Sequence, residues 1–285
     1  MKTEITCVYD RKTNPGILSR LSHGLSLYIK SGGDHILFDT GLMGRILMKN
    51  LRNLDIHPNI LTKIVISHGH SDHIGGLRKI LENRTNNVQI PIYAHPDFKE
   101  PKSARILGIK FWNVGFYEIK DSLENKLIYR LSKNPVNITE LLRTTGEISE
   151  EERRGMTNTS ENFARKINGK WIRDPVLDDM SLFFKTQQGV VLICGDCHSG
   201  LTNTIQKVQR LSGDKVVTIV GAVHVIFSRK NKMNKIVEML LDEYKHINFH
   251  LNHSVGRRYF RFLQKKLGSE RIQYFPVGKK LIFES

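Results

Sequence analysis

The chain has 285 residues, 39% of them hydrophobic, with 44 Lys and Arg against 28 Asp and Glu and a formal charge of +16. That apolar share is enough for a sizeable core, three cysteines are too few for a disulfide scaffold, and no run of about 18 apolar residues is present to cross a membrane. The cationic excess favours anionic partners, either a small phosphorylated substrate or nucleic acid.

Residues 3–9 read as a first strand. Residues 25–29 and 35–38 read as two more, joined by Ser31-Gly32-Gly33-Asp34, a hairpin signal. The third strand ends in Asp39-Thr40-Gly41, and apolar spacing over 42–53 predicts a helix. A strand over 63–67 contains the β-branched run Ile64-Val65-Ile66. It leads into His68-Gly-His70-Ser-Asp72-His73-Ile-Gly75-Gly76, and a helix over about 76–83 follows. Pro91 to Ala94 form a short strand before His95-Pro96. Residues 97–175 are rich in Lys, Arg, Asn and Glu, and read as an insertion or set of loops covering one side of a site.

Strand character resumes at 181–184. Gln187-Gln-Gly189 turns the chain into 190–194. A helix over 201–211, a strand over 215–220, an amphipathic helix over 232–246 and a strand over 247–251 come next. A basic helix over 256–268 and strands at 271–275 and 280–283 close the chain. Strands thus meander in each half with helices between them. The pattern predicts one domain over 1–285, two packed sheets with helices outside, and histidine-bearing loops at one edge.

The loop at 68–73 carries four metal-binding side chains in six residues: His68, His70, Asp72 and His73. Imidazole with carboxylate suits zinc, iron or manganese, and a metal-bound water becomes a hydroxide near neutral pH. Gly69 is expected to let the chain bend at the strand end. Four side chains on one turn point in different directions, so two ions sharing a hydroxide suit them better than one. Further candidates follow apolar strands: Asp196 and His198, His224, and His253, while Asp178-Asp179 precede the strand at 181. Cys194-Gly-Asp-Cys197 alone cannot close a four-cysteine site and lacks a thioredoxin-like setting. Met1 to Ile5 carry no apolar signal core, so the cytoplasm is the expected compartment.

Asp39-Thr40-Gly41, the H-x-H-x-D-H-x-G-G loop, Gly195-Asp196 after a strand and the late His253 together resemble the metallo-β-lactamase-fold hydrolases. His23-Gly-Leu-Ser26, Tyr93-Ala-His-Pro96, Gly146-Glu-Ile148 and Asp178-Asp179 extend the resemblance to one branch. That branch comprises the dihydropterin-ribofuranosylaminobenzene-phosphate synthases and related metal-dependent hydrolases. Departures include Asp196 where the branch has cysteine, Ala222-Val223 before His224, and Ser254-Val255 after His253.

The resemblance implies an α/β (α+β) class, four-layer αββα metallo-β-lactamase-like sandwich. It also implies a cofactor of two divalent transition-metal ions, zinc first, with iron or manganese compatible. His68, His70 and His198 would hold one ion and Asp72, His73 and His253 the other, with Asp196 bridging or binding one. The wider superfamily has a histidine before the strand at 181; either His198 or Asp179 would take its place. Asp72 would also orient the hydroxide, and Asp39 would fix the loop or a ligand ring. His224 would bind substrate or donate to a developing oxyanion, or else be a core histidine. His23 and His95 read as structural, with pocket lining as their alternative. The expected activity is hydrolysis of a small anionic substrate, with an RNA or DNA nuclease and a synthase-like condensing enzyme as alternatives.

Overall fold

A computed structural model describes residues 1–11, 23–86, 88–106, 109–116, 119–154, 156–157, 163–225 and 230–284. The first half contributes β1 (Lys2–Tyr9), β2 (Ser26–Ser31), β3 (Asp34–Phe38), α1 (Gly44–Asn53), β4 (Lys63–Val65), α2 (Ser71–Ile74), α3 (Leu77–Asn83) and β5 (Ile90–Ala94). The middle contributes β6 (Lys102–Ile106), β7 (Ile109–Asn113), α4 (Asp121–Glu124), β8 (Leu127–Leu131), β9 (Arg143–Thr144), β10 (Phe163–Ile167) and β11 (Lys170–Arg173). The second half contributes β12 (Leu182–Thr186), β13 (Gly189–Cys194), α5 (Leu201–Ser212), β14 (Val216–Gly221), α6 (Lys230–Asp242), β15 (Asn248–Leu251), α7 (Gly256–Leu267), β16 (Ile272–Tyr274) and β17 (Lys280–Glu284).

Two large sheets form, in the orders β17-β1-β2-β3-β4-β5-β8 and β16-β15-β14-β13-β12-β9. Their facing sides share one cluster, which includes Ile5, Leu27, Phe38 and Val65 from one sheet and Leu182, Phe184, Ile193 and Val220 from the other. Leu37, Ile64 and Ile66 point to the opposite face, against Leu47 and Leu51 of α1 and Leu77 and Ile80 of α3. This alternation explains the unbroken apolar run of β4: both faces of the strand are covered. On the far side, Leu192, Ile219 and Phe249 pack against Ile205 of α5, Ile236 of α6 and Leu263 of α7. The layers therefore run helix, sheet, sheet, helix, as the expected αββα sandwich requires. No helix among the described residues is long and apolar enough to cross a membrane.

Two expectations change. The strands do not simply meander: β3, β4, β5 and β8 pair in parallel, as do β13, β14, β15 and β16. A helix between consecutive strands returns the chain to the same end, which sets the parallel sense. The middle segment is also more than loops. Its β8 extends the first sheet, its β9 edges the second, and β11-β10-β6-β7 make a third sheet. Residues 107–108, 117–118, 155 and 158–162 of that segment lie outside the described residues.

Candidate metal centre

Parallel pairing brings the carboxyl ends of β3, β4, β13, β14 and β15 to one rim. The loops carrying His68 to His73, Asp196, His198, His224 and His253 leave from there, so these side chains ride on stiff strand ends. The loop after β4 is pinned by its neighbours: Thr40 N donates to His73 O at 2.6 Å, Met180 N to Ser67 O at 2.9 Å, and Ser71 N to Val114 O at 2.7 Å. Gly69 is needed for close approach, since a Cβ there would stand 2.0 Å from the Phe98 carbonyl oxygen.

Among the described residues, four sets of three side chains bring their donor atoms within 4.8 Å of one another: His68, His70 and His198; His68, His73 and Asp196; Asp196, His198 and His224; and His23, Asp72 and His253. Shared members join the first three sets into one cluster. His73 connects it to the fourth, with Nε2 3.9 Å from Asp72 Oδ2, which is itself 3.2 Å from His253 Nε2. All seven expected ligands thus meet at one rim. Asp179 enters no such set among the described residues; its Oδ2 accepts the Ser199 N–H at 2.8 Å.

The supporting contacts are specific. Buried Asp39 accepts the Ser67 N–H and the Ser67 hydroxyl, each at 2.7 Å, and bonds His73 Nδ1 at 2.7 Å. It therefore fixes both the strand end and a ring of the loop, as its expected role requires. His68 Nδ1 meets Ser67 Oγ at 2.9 Å, which leaves Nε2 turned toward His70 Nδ1 at 3.0 Å. Asp178 accepts the Gly69 N–H at 2.7 Å and the Lys102 ammonium at 2.9 Å, and Lys102 also reaches Asp174 at 3.2 Å. Asp196 bonds His224 Nδ1 at 2.5 Å and is also held by the Ser254 hydroxyl.

Charge is arranged for a cation. Burial, then neighbouring histidines, pulls His68 well below the usual imidazole range; burial, then His198, does the same to His70. Their lone pairs are free for a metal. Burial alone would raise Asp72 and Asp196, but adjacent imidazoles, His73 for the first and His224 for the second, hold both carboxylates well below their ordinary range. Burial would lower His73, but Asp72 and Asp39 lift it to about 9. Among the described residues, the buried Nε2 atoms of His70 and His73 have no hydrogen-bond partner. A buried imidazole nitrogen without a partner is costly, and a divalent ion would satisfy both. Imidazole and carboxylate donors at these separations fit such ions.

The remaining histidines divide. His95 is fully buried, with Nε2 2.9 Å from Glu147 and Nδ1 accepting the Asp97 N–H at 3.0 Å, a structural arrangement. His23 departs from its structural reading by facing Asp72 and His253. His224 is buried beside the site, with a positive φ of 40° and its Nδ1 on Asp196. His35, His57 and His250 belong to none of the four sets. Sequence reasoning missed Phe163 of β10, whose ring stands 4.7 Å from His70 and 5.7 Å from His198, because nothing local marks a phenylalanine as a site residue. It also missed Lys102 and Ser254.

With this geometry in place, comparison with known proteins is informative. The family model described as the Metallo-beta-lactamase superfamily matches residues 20–198. The chain is 30% identical over 226 residues to the 7,8-dihydropterin-6-methyl-4-(beta-D-ribofuranosyl)-aminobenzene-5'-phosphate synthase of Methanocaldococcus jannaschii, covering 76% of each chain. It is 31% identical over 261 residues to an uncharacterized protein of the same archaeon, covering 90% of this chain and 92% of that one. A solved structure of a metal-dependent hydrolase of the beta-lactamase superfamily superposes with a TM-score of 0.79 at 21% identity, covering 98% of both chains. The sandwich, the rim of imidazoles and these likenesses agree, and the chain belongs to the metallo-beta-lactamase superfamily.

Proposed function

We propose that this chain is a metal-dependent hydrolase with a dinuclear centre, acting on a small, phosphorylated or otherwise anionic substrate. The observation that carries the reading is the convergence of His68, His70 and His198 beside a second set containing Asp72 and His253, with the buried Nε2 atoms of His70 and His73 lacking hydrogen-bond partners among the described residues. His68, His70 and His198 would hold one ion, and Asp72, His73 and His253 the other. Asp196 stands between His68, His73 and His198 as a bridging carboxylate would. In this assignment His198, not Asp179, supplies the ligand otherwise expected before β12.

Bound there, two divalent ions, zinc first and iron or manganese next, would supply a nucleophile from water at neutral pH and offset charge on the reacting group. The protein does the rest. Asp72, kept ionised, would accept a hydrogen bond from the attacking water and orient it. His224, with Nδ1 fixed by Asp196, offers its other nitrogen to a substrate oxygen as charge develops. Phe163 covers His70 and His198 and limits water on that side. The charge of +16 supports an anionic substrate.

A second reading is favoured by the 30% identity to the synthase: condensation of a pterin with a sugar-phosphate aromatic amine at the same centre. The test loads the purified protein with zinc, manganese or iron and assays phosphate mono- and diesters, lactones and thioesters. A parallel assay offers the pterin and aromatic amine pair. Turnover of single substrates supports hydrolysis, and a joined product formed only from the pair supports condensation. Inertness in both arms with metal bound would remove the enzyme reading.

A further inference from the structure

We infer that His23 is a ligand of the second ion, a third imidazole beside His73 and His253; the inference rests on the dinuclear reading above. His23 Nδ1 is 3.9 Å from Asp72 Oδ2, and its ring centroid is 4.7 Å from that of His253. Its donor atom, with those of Asp72 and His253, lies inside a 4.8 Å set. A separation of 3.9 Å is too long for a hydrogen bond. It suits two ligands sharing one ion, since bonds of about 2.1 Å place donors roughly 3–4 Å apart.

The burial pattern separates this role from a packing role. The His23 side chain is 40% exposed, so the core does not need it, yet its Nδ1 is buried with no hydrogen-bond partner among the described residues. A histidine that only covered surface would turn that nitrogen to water or close on Asp72.

The backbone holds the ring in place. Leu42 N donates to His23 O at 3.3 Å, and the next residue, Gly24, donates its N–H to His253 Nδ1 at 3.2 Å. Gly24 has a φ of 115°, and a Cβ on it would stand 1.9 Å from the Asp72 carbonyl oxygen. The His23-Gly24 pair is therefore seated against two members of the same set, one through its side chain and one through its backbone.

The test titrates metal-free protein with zinc against a chromophoric chelator, for wild type, His23→Ala and His23→Asp. Aspartate places a carboxylate oxygen where Nδ1 stood. Wild type should take two ions. His23→Ala should keep the first unchanged and bind the second at least about 10-fold more weakly, and His23→Asp should recover most of that loss. Circular dichroism of the metal-free proteins confirms equal folding. Equal affinity for both ions in wild type and His23→Ala would overturn the role of His23 while leaving the dinuclear reading standing. A wild type that binds fewer than two ions would overturn both.

Discussion

At the scale of single residues, Asp39 ties a strand end to a ring of the histidine loop. It holds Ser67 through two donors and His73 through Nδ1. Asn in its place has no charge to offer the imidazole and puts an amide donor where an acceptor stood. Asp39→Asn should lower ion affinity and turnover together by about 10- to 100-fold, measured by zinc competition and steady-state kinetics. Gly69 acts through what it lacks. Gly69→Ala drives a methyl into the Phe98 carbonyl oxygen and must displace the loop between His68 and His70. It should lose at least about 1–3 kcal/mol of stability by overpacking along with most metal binding, read by urea denaturation and elemental analysis.

At the scale of elements, the link between β6 and the metal loop is a buried charge cluster. Lys102 on β6 is 1% exposed and bridges Asp174 and Asp178, and Asp178 in turn holds Gly69. Removing the cation leaves two buried carboxylates without their counter-charge. Lys102→Met should cost about 3–5 kcal/mol, and adding Asp178→Asn should recover part of it, both by urea denaturation. Burial would raise Asp178, but Lys102 outweighs it and keeps the carboxyl below its ordinary value. Its contribution to stability is therefore full above about pH 4 and fades as pH falls toward the lowered value. In Lys102→Met burial goes unopposed by that cation and raises the carboxyl, so the sign reverses and stability should rise as pH falls through the raised value. None of this was legible in the sequence, where Lys102 is one cation in a polar stretch. The strand at 63–67, the loop after it and the late histidines were legible, because ligand residue types sit directly beyond apolar runs. His23 was legible only as an alternative pocket-lining residue, because its approach to Asp72 joins parts of the chain far apart in sequence. The parallel order of the sheets and the third sheet also depend on long-range pairing that local pattern does not encode.

At the scale of the whole molecule, the ligand sets come from both sheets: His68 to His73 follow β4, while Asp196, His198, His224 and His253 follow β13, β14 and β15. Under the dinuclear reading, ion binding would therefore favour the folded chain. At a free ion concentration about 100 times Kd the gain is about 2.7 kcal/mol, and calorimetry should show chelation lowering Tm by about 5–10 °C. The positive charge is also unevenly placed. Arg257, Arg258, Arg261, Lys265 and Lys266 all stand exposed on α7, which begins three residues after His253. Replacing those five with glutamine should flatten the salt dependence of any single-stranded RNA binding measured by fluorescence anisotropy. A clasp with one jaw on each sheet has a mechanical consequence. With the ions gone, the seam between the jaws is the first place to gape, and amide exchange should speed up at the carboxyl ends of β4 and β13 together while their far ends stay quiet.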